Sequence, residues 1–267
     1  MAIRNIKLTI QYDGSNYYGW QKQPNRRTIE SEVISAIESL TCCENVKLNG
    51  ASRTDAGVSA LGQVANVRLD TPIPTERLAK ALTQYLPPEI AVTEAVDVPE
   101  DFDAIKQVKS KLYRYSIYTG KNRPVMQISH CWHRPGKLNA EPMHEAAQKL
   151  IGKKDFKSFA TACDKRSSSV RTIFRCDVTT SLVIPAEAGI HSLSYESQTT
   201  NHNWIYIEVE ADGFLYNMVR NIVGTLVEIG RGRWPSERIE KILEAKSRTA
   251  AGPIAPAEGL CLMWIKY

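Results

Sequence analysis

Residues 49–69, "NGASRTDAGVSALGQVANVRL", read as two strands joined by a turn that carries a single acid. "NVKLNG" (45–50) and "GQVANVRL" (62–69) are the strands. Between them Gly57 suits a turn and Asp55 is tolerated in one, but a turn has no use for Arg53. Functional loops carried on a rigid scaffold often pair chemistry with apolar flanks in this way. A nearby cation also favours the charged form of an acid, which keeps a carboxylate ready for chemistry. From the pentapeptide alone, an Asp that merely closes the turn explains the pattern equally well.

Outward from this hairpin, "IKLTIQYDG" (6–14) alternates Ile6, Leu8 and Ile10 with polar neighbours, which predicts a strand ending in a turn at Asp13-Gly14. "SNYYGWQKQPNRR" (15–27) is a loop of aromatics, amides and cations. Thr28 is placed to cap a helix with an apolar stripe at Ile29, Val33, Ile37 and Leu40. "TERLAKALTQYL" (75–86) predicts a second helix stopped by Pro87-Pro88, and "IAVTEAVDV" (90–98) a strand. The rhythm then repeats. "KLYRYSIYTG" (111–120) is a strand, and "EPMHEAAQKLIG" (141–152) a helix with Pro142 in its first turn and Gly152 as its stop. "RTIFRCDVTT" (171–180) and "NWIYIEVEADG" (203–213) are strands separated by an irregular insertion at about 184–203. "LYNMVRNIVGTLVEIG" (215–230) is a helix, Pro235 opens a last one, and "GLCLMWIKY" (259–267) is a closing strand. Strand and helix units in two groups predict an α+β fold of two halves, residues 1–104 and 105–267.

A chain of 267 residues with 43% hydrophobic and 24% charged residues fits an ordinary soluble globular protein. The net charge of +5 permits a polyanionic partner without proving one. Six cysteines show no CxxC spacing and no disulfide framework, and no signal peptide or membrane-length apolar run is present. That combination points to a reducing, cytoplasmic setting with no membrane partner. "HCWH" (130–133) raises a metal reading with Cys163 or Cys176 as further ligands; without paired short spacings, a strand with an aromatic core face is the better expectation. There is no glycine-rich phosphate loop.

Seven blocks carry a resemblance. "YDGSNYYGWQKQPNRRTIE", "SRTDAGVSALGQVA", "KLYRYSIY", "DFKSF", "VRTI", "FLYNMVRNIVG" and "APAEGLCL" stand in the order found in the tRNA pseudouridine synthases of the TruA type. The chain resembles that family from residue 8 to 267. The resemblance implies the pseudouridine synthase fold, with two ferredoxin/RRM-like α+β halves and antiparallel and mixed sheets around a central RNA-binding cleft. The first half would carry the catalytic aspartate loop, and the second the tyrosine strand and arginine helix. It implies conversion of uridine to pseudouridine in the anticodon stem-loop of tRNA, by a homodimer with the tRNA spanning both subunits. The active-site aspartate falls on Asp55 and the motif's arginine on Arg53. The base-contacting aromatic falls on Tyr113, and the cation that pairs with the aspartate on Arg220. Ser52 and Ser59 stand where the pattern has Gly and His, and Phe102-Asp103-Ala104-Ile105 where it has Phe-His-Ala-Arg. These departures leave the catalytic positions filled and bear on how tRNA is placed.

The chemistry agrees with what the chain contains. An isomerisation needs no redox cofactor, nucleotide or metal; it needs an ionised carboxylate as nucleophile or base. A base must also be extruded before Asp55 can reach it, and an aromatic platform would hold it. Periodicity does not choose among Tyr113, Tyr115 and Tyr118; only the resemblance does. Arg220 sits at the border of its helix stripe, from where it can snorkel to solvent or reach into a cleft. Tyr17, Trp20, Lys22, Arg26 and Arg27 in the N-terminal loop suit stacking and phosphate contact with RNA. Two other readings remain: a catalytically impaired RNA-binding module of the same fold, and a metal-dependent hydrolase using Asp55 with the HCWH histidines.

Overall fold

The structure, a computed structural model, describes residues 3–161, 166–181 and 203–267. The chain divides into two compact units, one of residues 1–112 with 261–267 and the other of residues 113–260. The insertion at 184–203, apart from Asn203, and Cys163 lie outside the described residues.

In the first unit β1 (Arg4–Tyr12) pairs antiparallel with β3 (Ser59–Leu69) and, on its other side, with β4 (Ile90–Val98). The short β2 (Leu48–Gly50) lies antiparallel on β3, and β10 (Leu260–Lys266) joins the far end of β3 in parallel, Cys261 opposite Ser59. Helices α1 (Ile29–Thr41) and α2 (Thr75–Tyr85) pack against each other, and α2 lies on β4. The expected alternation holds: Ile6, Leu8 and Ile10 are fully buried, as are Ile29, Ile37 and Leu78 from the helices. Thr28 caps α1 through a capping box with Ser31, which ties off amide groups that the helix itself leaves unpaired.

In the second unit β5 (Ser110–Tyr118, which enters it at Tyr113), β9 (Trp204–Ala211), β8 (Val170–Ser181) and β7 (Gly152–Asp155) follow one another across a sheet. A two-residue strand, β6 (Trp132–His133), runs parallel to β5. Helix α3 (Ala140–Gln148) packs on β8 and on α4 (Met218–Gly230); α5 (Arg238–Ala245) follows. Two expectations need correction. Gly152 does not stop α3, which ends at Gln148; with φ of +101° it opens β7 instead, a polar edge strand without apolar alternation to announce it. And α4 begins at Met218 rather than 215, because Asn217 takes the left-handed conformation and breaks the run.

Candidate active site

Between β2 and β3 the chain leaves the sheet for residues 51–58, and burial alternates along it: Ser52 and Thr54 are buried, Arg53 is exposed and Asp55 half-buried. The cause is visible in the hydrogen bonds. At the entry, Ala51 N–H still donates to Val64 O (2.8 Å), and the Lys111 ammonium holds Ala51 O (2.6 Å) and Ser52 Oγ (3.4 Å). Gln63 Nε2 donates to Ser52 O (2.6 Å) and Gln63 Oε1 accepts from Ser52 N–H (3.2 Å). At Thr54, the side-chain hydroxyl meets the Tyr12 hydroxyl (2.8 Å) and the carbonyl accepts from Trp20 N–H (3.1 Å). The exit is a β-turn closed by Val58 N–H on Asp55 O (3.1 Å); Gly57, at φ of +80°, supplies the positive φ of a type II turn. Arg53 forms no hydrogen bond or ion pair among the described residues, so its charge faces outward.

The N-terminal loop is laid against this segment. Trp20 is 1% exposed and packs on Tyr12, ring centroids 6.0 Å apart; Tyr17 is 3% exposed beneath the Arg27 guanidinium, 4.6 Å away. Both rings, expected among the RNA-contacting residues, pack within the loop and against β1. Burial pushes the Tyr17 phenol up to about 12, against the pull of Arg27. What faces solvent is Tyr18 with Arg26 over its ring (4.3 Å), together with Lys22 and Arg27. Arg27 is steadied by Glu32 (2.9 Å), while Glu30 accepts from Lys22 N–H and Gln21 Nε2, each 2.6 Å.

In the second unit the three tyrosines left open by periodicity have separate surroundings. Tyr115 is fully buried with its hydroxyl on Pro256 O (2.8 Å), and burial drives its phenol well above the usual range. Tyr118 packs on Trp204 (4.8 Å) and His133 (5.9 Å). Tyr113, buried, meets Phe214 edge-on at 5.1 Å.

Arg220 is the one residue of α4 that is not buried. Its Nε donates to Ala255 O (2.8 Å) and its Nη1 to Asn217 Oδ1 (3.1 Å), while Ala255 N–H donates back to Arg220 O (3.1 Å). Asn217 in turn donates to Thr161 Oγ1 (2.9 Å). The helix comes close to the 252–256 segment because residue 224 is glycine: a Cβ there would lie 1.6 Å from Pro253 O. Gln63, Thr54 and Asn217 escaped the sequence reading, because an amide or hydroxyl that binds backbone leaves no periodic or charge signal.

The HCWH segment is a 3-10 turn running into β6, with His130 exposed and His133 Nε2 3.0 Å from Gly120 O. Among the described residues no three His, Cys, Asp or Glu gather as metal ligands. Nor is any described helix long and apolar enough to cross a membrane. At the Phe-Asp-Ala-Ile departure, Asp103 accepts from Ile105 N–H (2.8 Å) and Lys106 N–H (3.1 Å), which holds its carboxyl below the usual range. Phe102 packs on Tyr267 at 5.0 Å, and Ile105 is exposed. The turn is tied to its surroundings through Ala104, whose N–H donates to Asn66 Oδ1 (3.1 Å) and whose carbonyl accepts from the Tyr267 hydroxyl (2.8 Å).

Within an α+β fold, the first unit carries a carboxylate on a clamped loop and the second a cation on an otherwise buried helix. Comparison with known proteins carries the identification further. The family model described as tRNA pseudouridine synthase matches residues 8–105 and 146–267, and the chain belongs to that family. A tRNA pseudouridine synthase A of Moorella thermoacetica is 44% identical over 264 residues, 98% of this chain and 99% of its own. Proteins of the same name from Caldicellulosiruptor saccharolyticus and Acetivibrio thermocellus are 40% and 42% identical over 265 residues, 99% of this chain and all of theirs.

Proposed function

We propose that this protein is a tRNA pseudouridine synthase that isomerises uridine to pseudouridine in the anticodon stem-loop, with Asp55 as its catalytic group. The family match along nearly the whole chain carries the reading. In the reaction the N1–C1′ bond breaks, the uracil turns, C5–C1′ forms, and the proton lost from C5 is balanced by one gained at N1. Asp55 acts as the ionised nucleophile or base. Its loop suits that task, since the clamps on residues 52 and 54 fix the backbone and leave no reorganisation to the moment of reaction.

Tyr113 serves as the platform for the extruded uracil, a contact worth about 1–3 kcal/mol for a stacked base. Phe214, edge-on to its ring, sets the ring's angle. Arg53 and Arg220 bind substrate as fixed charges, and Lys22, Arg26 and Arg27, with Tyr18, meet the RNA backbone. The halves 1–104 and 105–267 thus divide the work, the first holding the aspartate and the second the tyrosine and arginine. We further read the working form as a cytoplasmic homodimer. Incubating the purified protein with unmodified tRNA transcripts and mapping pseudouridine at single-nucleotide resolution tests this. Modification confined to the anticodon stem-loop is expected; transcripts bound but left unmodified would return the impaired-module reading.

A further inference from the structure

We propose that Gln63 is the positioning residue of the Asp55 loop: its buried amide fixes the Ser52 peptide and so sets the direction in which the chain enters Arg53, Thr54 and Asp55. The inference rests on the reading of Asp55 as the catalytic group. Gln63 is fully buried inside β3, where an apolar side chain would pack without the cost of desolvating an amide. Its geometry explains the choice. β2 ends at Gly50, and the ladder to β3 continues only as far as Ala51 N–H on Val64 O. One residue later Ser52 is buried, and it belongs to no strand pairing among the described residues. Gln63 stands in for a paired strand: Nε2 donates to Ser52 O (2.6 Å), and Oε1 accepts from both Ser52 N–H and Val64 N–H (3.2 Å each).

A two-point amide-to-peptide contact fixes orientation as well as distance, which a single hydrogen bond does not. Two residues on, the Tyr12 hydroxyl and Trp20 N–H hold Thr54. With residues 52 and 54 both pinned, Arg53 is turned outward and Asp55 follows in one register. Loss of the Gln63 clamp frees the entry side while the exit turn stays closed, and a reacting group displaced by about 1 Å costs roughly 100-fold in rate.

The test compares Gln63→Leu, Gln63→Glu and Asp55→Asn in single-turnover pseudouridine formation across pH, with tRNA affinity and thermal melting measured alongside. Gln63→Leu should lower the rate by roughly tenfold to 100-fold with tRNA affinity within about threefold of wild type. Gln63→Glu is the sharper variant. A protonated Glu offers Ser52 O a hydroxyl donor, as Gln offers an amide, whereas an ionised Glu offers only acceptors. Its rate, divided by that of wild type at the same pH, should therefore rise as pH falls. A merely structural role moves the rate only together with the melting temperature at each pH; a ratio that is flat with pH, or that only tracks melting, overturns the proposal. Equally, Gln63→Leu and Gln63→Glu at wild-type rates beside an inactive Asp55→Asn would overturn it. If Asp55→Asn itself keeps the wild-type rate, the reading of Asp55 fails and Gln63 has nothing to position. Should Gln63→Leu not fold, the pH ratio of Gln63→Glu decides alone.

Discussion

Asp55 stands in a segment without regular structure, whereas Arg220 stands in the first turn of a helix whose every other residue is buried. The loop obtains its rigidity from side chains that bind its backbone: Gln63 and Lys111 at the entry, Tyr12 at Thr54. The helix has its own ladder and obtains its placement from a close backbone approach at Gly224, with the guanidinium then tied to Ala255 O and Asn217 Oδ1. The comparison teaches that a functional charge can be held by polar clamps or by close packing. Each way has a different point of failure. A clamped loop should lose activity before stability, and a close-packed helix should lose stability first.

Asp55→Asn is the largest expected effect. The amide keeps the shape but removes the nucleophile and base, so pseudouridine formation should fall by about 1,000-fold or more. Its melting temperature and tRNA affinity should stay near wild type, since the position lies on a turn outside the core. A stable variant with activity within about tenfold of wild type would break the assignment and return Asp55 to the role of turn residue.

Gly224→Ala comes next and acts on the other side of the comparison. The new methyl would meet a backbone carbonyl, which cannot rotate away as a side chain can, so about 3 kcal/mol or more of stability should be lost. Denaturant unfolding measures it. Wild-type stability would mean that the 252–256 segment yields easily, and that close packing does not place Arg220.

Arg220→Lys should have the smallest effect of the three. Lysine keeps the charge but not the fork that reaches Ala255 O and Asn217 Oδ1 together, so activity should fall by roughly tenfold to 100-fold with little change in melting temperature. A silent substitution, measured by single-turnover rates, would place Arg220 among ordinary border cations.

The N-terminal loop shows where sequence reading stops. Its composition of aromatics and cations was legible, and so was the cap at Thr28. Which rings face outward was not, because a loop has no period to assign sides. Trp20 turns inward onto Tyr12 of β1, and Tyr17 is covered by Arg27 from the far end of the loop. In the same way β7 escaped notice because an edge strand pairs through its backbone and needs no apolar face.

The sequence by itself determined the α+β class, most of the strands and helices, and the loop that presents Asp55. Each of these follows from local pattern: alternation of period two, helical stripes, a capping residue, a glycine at a positive φ. It also determined the family, through motifs in a fixed order. Only the tertiary structure decided that a glutamine in β3 holds the Ser52 peptide, that Asn217 breaks the helix and ties Arg220, and that Tyr115 gives its hydroxyl to Pro256. The physical reason is common to all three. A hydrogen bond from a side chain to a distant backbone group depends on where the fold has brought that group, and polar residues carry no periodic mark of the partner they will meet.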